Sequence, residues 1–193
     1  MKRLCLFSII IAFVMASTPV YAEERVPQRA PLGNGNLAVK LDYIVFTDPH
    51  WGDHDDDGLY IGLEGYGEIT RNLYLGGEVG GTFNVTVFGD DMTFYPIELN
   101  LKYAIEAAPN FVIDFGAGAS YTYTEIRRQY FVPPRIKKDD DWLFGGQFFA
   151  DITYKIRWFF IGVNTKYQIT EDFKDEDFDL NNWRVGAQIG VTF

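Results

Sequence analysis

Trp183-Arg184-Val185-Gly186-Ala187-Gln188-Ile189-Gly190-Val191-Thr192-Phe193 decides the reading of this chain. Every odd position is apolar, and no even position holds a large apolar side chain. Successive side chains of a strand point to opposite faces, so this stretch is a strand with one apolar face. It finishes on an aromatic residue. Such a strand suits the closing seam of a barrel in a bilayer better than an edge exposed to water.

The same alternation recurs upstream seven times, over about 37–46, 59–70, 73–87, 94–105, 111–125, 142–154 and 158–168. The first of these puts Leu37, Val39, Leu41, Tyr43 and Val45 on one face. Short connections (70–72, 106–110, 155–157) alternate with longer ones that are charged or rich in Pro and Gly (47–58, 88–93, 127–141, 171–182). Strands of about ten residues, with short turns at one rim and long loops at the other, characterise outer-membrane barrels. The expected fold is therefore all-β: an eight-stranded antiparallel up-and-down transmembrane β-barrel over 37–193. Residues 23–36 read as a flexible N-terminal lead. Pro96 has no N–H to give a ladder and should mark a bulge or strand edge near the rim.

Residues 1–22 read as a cleaved signal peptide. Lys2 and Arg3 precede the apolar run Leu4–Met15, and Val20-Tyr21-Ala22 supplies small residues around a cleavage point. The one cysteine, Cys5, lies inside this segment, so no disulfide framework is expected. The charge is −10, or −12 without Lys2 and Arg3, which argues against nucleic acid as a partner. A mean hydropathy of −0.10 excludes a helical membrane protein.

Alternation alone does not say which face meets lipid, since a soluble barrel alternates with its apolar face inward. Beside the terminal Phe193, two features favour an apolar exterior. The polar face carries Gly62, Gly76, Gly80, Gly116, Gly118, Gly145, Gly162, Gly186 and Gly190, which a narrow interior needs and a wet exterior does not. The apolar face carries aromatics near strand ends: Tyr95, Tyr121, Tyr123, Trp142, Tyr167 and Trp183 toward one rim, Tyr103, Phe111, Tyr154 and Phe159 toward the other. That is the double girdle of a membrane barrel.

The whole span after the signal resembles the small eight-stranded outer-membrane proteins: the OmpA transmembrane domain, OmpX, OmpW and the opacity-type proteins. Tyr60-Ile61-Gly62-Leu63-Glu64-Gly65-Tyr66-Gly67, Leu73-Tyr74-Leu75-Gly76-Gly77-Glu78 and the Trp183–Phe193 strand carry the resemblance. It implies the bacterial outer membrane as location, with loops extracellular. It implies outer-membrane lipids, lipopolysaccharide and the outer-membrane assembly machinery as partners, and a monomer. Phe193 would then be the assembly signal. The resemblance is specific for architecture and leaves function open.

The inward face should hold Lys40, Asp42, Glu64, Glu68, Glu78, Glu98, Lys102, Asp114, Asp151, Lys166 and Arg184. Buried charges must pair, which makes this set either a salt-bridged plug or the lining of a narrow porin-like path for cations or small solutes. In the first long loop, Asp53-His54-Asp55-Asp56-Asp57-Gly58 and Glu64 match a calcium-loop pattern. No helix flanks it, and Glu64 lies roughly 20 Å from Asp57 along an extended strand, too far to close the site. Asp53, Asp55 and Asp57 remain candidate oxygen ligands for Ca²⁺ or Mg²⁺; no other cofactor is expected. Enzyme readings are weak. The chain after residue 22 has one serine, Ser120, and two histidines, His50 and His54, which a strand alternation does not bring together. A rim protease using Asp53 and His54 is the least favoured alternative. The favoured role is non-enzymatic, structural or surface-interacting, through acidic and aromatic loops.

Overall fold

The computed structural model describes residues 30–47, 57–83, 85–87, 90–131, 134–173 and 179–193. They form one antiparallel sheet that closes on itself. Its segments are β1 (Gly35–Phe46), β2 (Asp57–Thr70), β3 (Leu73–Phe83), β4 (Val85–Val87), β5 (Asp90–Ala108), β6 (Phe111–Phe131), β7 (Pro134–Ile156), β8 (Phe159–Thr170) and β9 (Asn182–Thr192). Apart from β3 and β4, each pairs with its neighbour in sequence, and β1 pairs with β9 from Asn36↔Thr192 to Phe46↔Asn182. The short β4 continues β3 along β5, so the wall is an eight-stranded barrel with no open edge.

The apolar face points outward. Leu41, Leu63, Leu99, Phe148, Val163 and Val185 are each more than half exposed, while the charged side chains between them are buried. A water-soluble barrel would reverse this arrangement. Along the outside, Tyr121 stacks on Trp142 at 4.6 Å and Tyr167 packs on Trp183 at 4.9 Å. Near the other rim Tyr103 meets Phe115 at 5.9 Å. From Phe111 to Tyr121 on β6 is about 33 Å of strand. At a tilt near 40° that is about 25 Å of height, the thickness of a barrel's apolar band.

β6 and β7 run well past this band. The region 127–141, expected as a loop, continues the ladder through Arg127↔Lys138 to Phe131↔Pro134. Its charge and prolines suggested a loop, but a hairpin standing in water has no face that must be apolar, and Pro134 sits at a strand's first position. The β3–β5 ladder stops at Val79↔Ile97, one residue before Pro96, which has no N–H to extend it. Beyond that point a side chain takes over, with the Phe94 N–H donating to Thr82 Oγ1 at 3.1 Å.

The interior has three levels. At the long-loop end, Ile44, Phe46, Tyr60, Met92, Phe94, Ile126 and Leu143 form an apolar layer, and Phe173 and Leu180 from the β8–β9 connection pack into it. At the short-turn end, Tyr66, Tyr74, Ala104, Val112 and Phe149 form a second layer around Leu32. The lead expected to be flexible over 23–36 is therefore folded from residue 30 on. Leu32 is buried, its N–H donates to Tyr74 Oη at 3.1 Å, and Tyr74 Oη–H donates to the Gly33 carbonyl at 3.0 Å. β1 already begins at Gly35. Residues 23–29 and the signal segment 1–22 lie outside the described residues. Between the two apolar layers lies the charged middle.

Candidate functional site

Register decides which charges meet. Glu64 on β2, Glu78 on β3 and Glu98 on β5 are direct cross-strand partners, Glu64↔Glu78 and Glu78↔Glu98. Like charges directly opposite repel, so this acidic row stands only if cations reach it from the far wall. They do. Arg184 on β9 pairs with Glu78 through Nη1 at 3.3 Å, and Nη2 pairs with Glu98 and donates to Gln168 Oε1 at 2.9 Å. Lys166 on β8 pairs with Glu78 at 2.6 Å and with Glu98. Lys40 on β1 pairs with Glu64 at 2.8 Å and Glu78 at 3.5 Å. Tyr60 supplies both a ring under the Arg184 guanidinium, at 4.5 Å, and a hydroxyl donor to Glu78 at 2.7 Å. Ordinary side chains at Gly80 and Gly186 would collide with Tyr60 and Asp42, so glycine makes room for both groups.

Toward the short-turn end, Asp114 on β6 and Asp151 on β7 form a second directly opposed acidic pair. Lys102 lies 3.7 Å from Asp114 and from Glu64, and Lys40 lies 3.7 Å from Asp151. Lys102 also sits 4.0 Å above the Tyr66 ring. Asp42 accepts from Asn164 Nδ2 at 3.0 Å. Nine of the eleven candidate lumen residues thus form one buried ion-pair network that spans the barrel, and Asp42 is buried beside it.

Glu68 is the exception. It is the last residue of β2 in regular register, opposite Tyr74 and just before a register shift, and at this rim its carboxylate accepts the Asn72 N–H at 2.9 Å. Glu106 does the same for Asn110 at 3.1 Å, beside a matching shift between Glu106 and Ala108. Asn72 and Asn110 both adopt positive φ, 63° and 66°. Glu68-Ile69-Thr70-Arg71-Asn72 and Glu106-Ala107-Ala108-Pro109-Asn110 are thus one Glu-x-x-x-Asn turn used twice, a signal present in the sequence that strand alternation conceals.

Of the candidate cation ligands, only Asp57 falls within the described residues. Asp53 and Asp55 lie outside the described residues, as do His50 and His54. Asp57 opens β2 and accepts a hydrogen bond from the Tyr43 hydroxyl. Among the described residues no three His, Cys, Asp or Glu side chains are placed to hold a metal. Ser120 faces the lumen, where its Oγ accepts from Gln168 Nε2 at 2.9 Å.

Beyond the aromatic girdle, Glu125 on β6 accepts from Arg127 Nε at 2.6 Å and pairs with Lys138 of β7 at 3.4 Å. The Arg127 hydrogen bond, followed by that of Lys138, holds its carboxyl below the usual glutamate range.

No known family and no curated protein matches this sequence. Solved structures do. Neisserial surface protein A is similar over 83% of this chain and 98% of its own, with a TM-score of 0.69 and 10% identity. The N-terminal β-barrel domain of OprF from Pseudomonas aeruginosa covers the same shares, with a TM-score of 0.56 and 13% identity. The attachment invasion locus protein of Yersinia pestis is similar over 81% of this chain and 97% of its own, with a TM-score of 0.53 and 12% identity. By fold, this chain is a small eight-stranded β-barrel of the outer-membrane type.

Proposed function

We propose that the chain is a non-enzymatic outer-membrane protein. Its barrel is a closed scaffold, and its long-loop end makes the contacts that matter to the cell. The observation carrying this reading is the three-level interior. A hydrated path needs continuous polar lining, and here the charged middle is enclosed by an apolar layer at each end, one holding Phe173 and Leu180, the other Leu32. Within the middle, carboxylates are engaged by cations rather than by open solvent. A surface role also agrees with the β6–β7 hairpin, which stands beyond the girdle and carries charge of both signs. Attachment, the role that gives the Yersinia neighbour its name, is of that kind.

A narrow cation path is the alternative, and the excess of six carboxylates over four cations in the lumen favours it. Surface protease treatment of intact cells making the protein tests the favoured reading. Cleavage confined to the long-loop end supports it, and cleavage at the 106–110 turn would invert the orientation.

A further inference from the structure

The third short turn breaks the pattern of the other two. Arg157 and Trp158 form a two-residue hairpin loop, closed by Ile156↔Phe159. Arg157 holds φ at 63° in the position that glycine or asparagine usually fills. A long side chain in that conformation is strained. In the sequence, the residue that is Glu68 or Glu106 in the other turns has no acidic counterpart here; Lys155 precedes the loop instead. The strained position thus sets a second cation beside Lys155 in this turn, in a chain of net charge −10.

These cations line a cavity of about 470 Å³ together with Gly33, Asn34, Trp158 and Phe193. Its size is that of a small-molecule site. Lys155 Nζ donates to the Pro31 carbonyl at 2.5 Å, which fixes its position. Neither Lys155 nor Arg157 makes an ion pair among the described residues. Trp158 and Phe193 are about two-thirds exposed on the lipid side of the same rim, as befits rings at a headgroup boundary. The Thr192 N–H donates to the Trp158 carbonyl at 2.7 Å and ties the two strand ends together.

We propose that this cavity binds the phosphate of an anionic phospholipid in the leaflet at the short-turn rim. Arg157 and Lys155 receive the phosphate, and Trp158 and Phe193 flank the acyl chains. The inference rests on the membrane reading above. Native mass spectrometry tests it on the refolded full chain, released from micelles with equal phosphatidylglycerol and phosphatidylcholine. The wild type retains phosphatidylglycerol preferentially. Arg157→Gly lowers that preference about fivefold, the effect of one basic residue at an anionic surface. The same variant unfolds at a higher temperature, because glycine removes the backbone strain. An intact barrel whose lipid preference is unchanged by Arg157→Gly overturns the site. Full displacement of the lipid by excess glycerol phosphate overturns the lipid assignment in favour of a free phosphate. A chain with no heat-dependent gel shift overturns the membrane reading itself.

Discussion

Glu78 and Glu98 lie directly opposite one another on β3 and β5 and share the same two cations, Lys166 and Arg184. Adjacent strands thus carry charges of one sign, neutralised by strands from the opposite wall. The interaction braces the barrel across its diameter, where hydrogen-bonded ladders act only around its circumference.

Removing one member leaves buried charge uncompensated. Arg184→Ala is expected to destabilise the barrel by about 3–5 kcal/mol, read from urea unfolding in lipid vesicles. Adding Glu98→Gln should recover a large part of that loss. Strict additivity of the two substitutions would show that the pair does not interact.

The rim turns make a sharper claim about single residues. Asn72→Ala keeps the β-carbon at φ 63° but removes the short amide side chain that makes this conformation tolerable, and should cost about 1 kcal/mol, whereas Asn72→Gly should be near neutral. Glu68→Ala and Glu106→Ala each remove an acceptor from a turn amide, for about 1 kcal/mol apiece. Equal stability of all four variants in the same unfolding assay would refute the turn assignment.

The alternation in the sequence separated the two faces of the wall, because a barrel in lipid demands period two along every strand, and the glycines and aromatics told which face turns inward. It did not reveal which charges meet. That depends on register, and Glu64, Glu78 and Glu98 stand in one row only once β2, β3 and β5 are aligned. Glu68 has the inward parity, yet it stands at the strand end, where the turn amide of Asn72 takes its carboxylate. The apolar layers were hidden for a different reason. Leu32, Phe173 and Leu180 belong to connections, where no periodicity marks a buried side chain. The outer hairpin of β6 and β7 was obscured by its charge, since strands outside the membrane are free of the apolar constraint.

That hairpin should respond to acid. Glu125 has its pKa lowered by Arg127 and Lys138, so the folded state favours the ionised form more than the unfolded state does. Its contribution is complete above the ordinary glutamate range, near pH 4.3, and is lost as pH falls through the depressed value. Hydrogen-exchange protection of β6 residues beyond Tyr123, corrected for the intrinsic pH dependence of exchange, should therefore fall on acidification. The pH dependence should shrink in Glu125→Gln, and identical profiles for the two chains would contradict this assignment.

Phe193 continues the outward apolar face of β9, and its backbone exchanges hydrogen bonds with Gly35, N to O at 3.0 Å and 2.9 Å. Its ring covers Gly35 so closely that a β-carbon there would collide with it. We expect Phe193→Ala and Gly35→Val each to lower the yield of heat-modifiable barrel in cells. Refolding of Phe193→Ala into detergent should suffer less, which separates an assembly signal from a folding contact. Normal assembly of Phe193→Ala in cells would remove the assembly role.

A closed interior is tested most directly by current. The purified barrel in a planar bilayer, measured in potassium chloride with and without millimolar Ca²⁺, should show no steady conducting steps in either condition, because Leu32 at one end and Phe173 with Leu180 at the other enclose the charge network. Reproducible, cation-selective steps from the wild-type chain would contradict the sealed scaffold and establish a path lined by Glu64, Glu78 and Glu98.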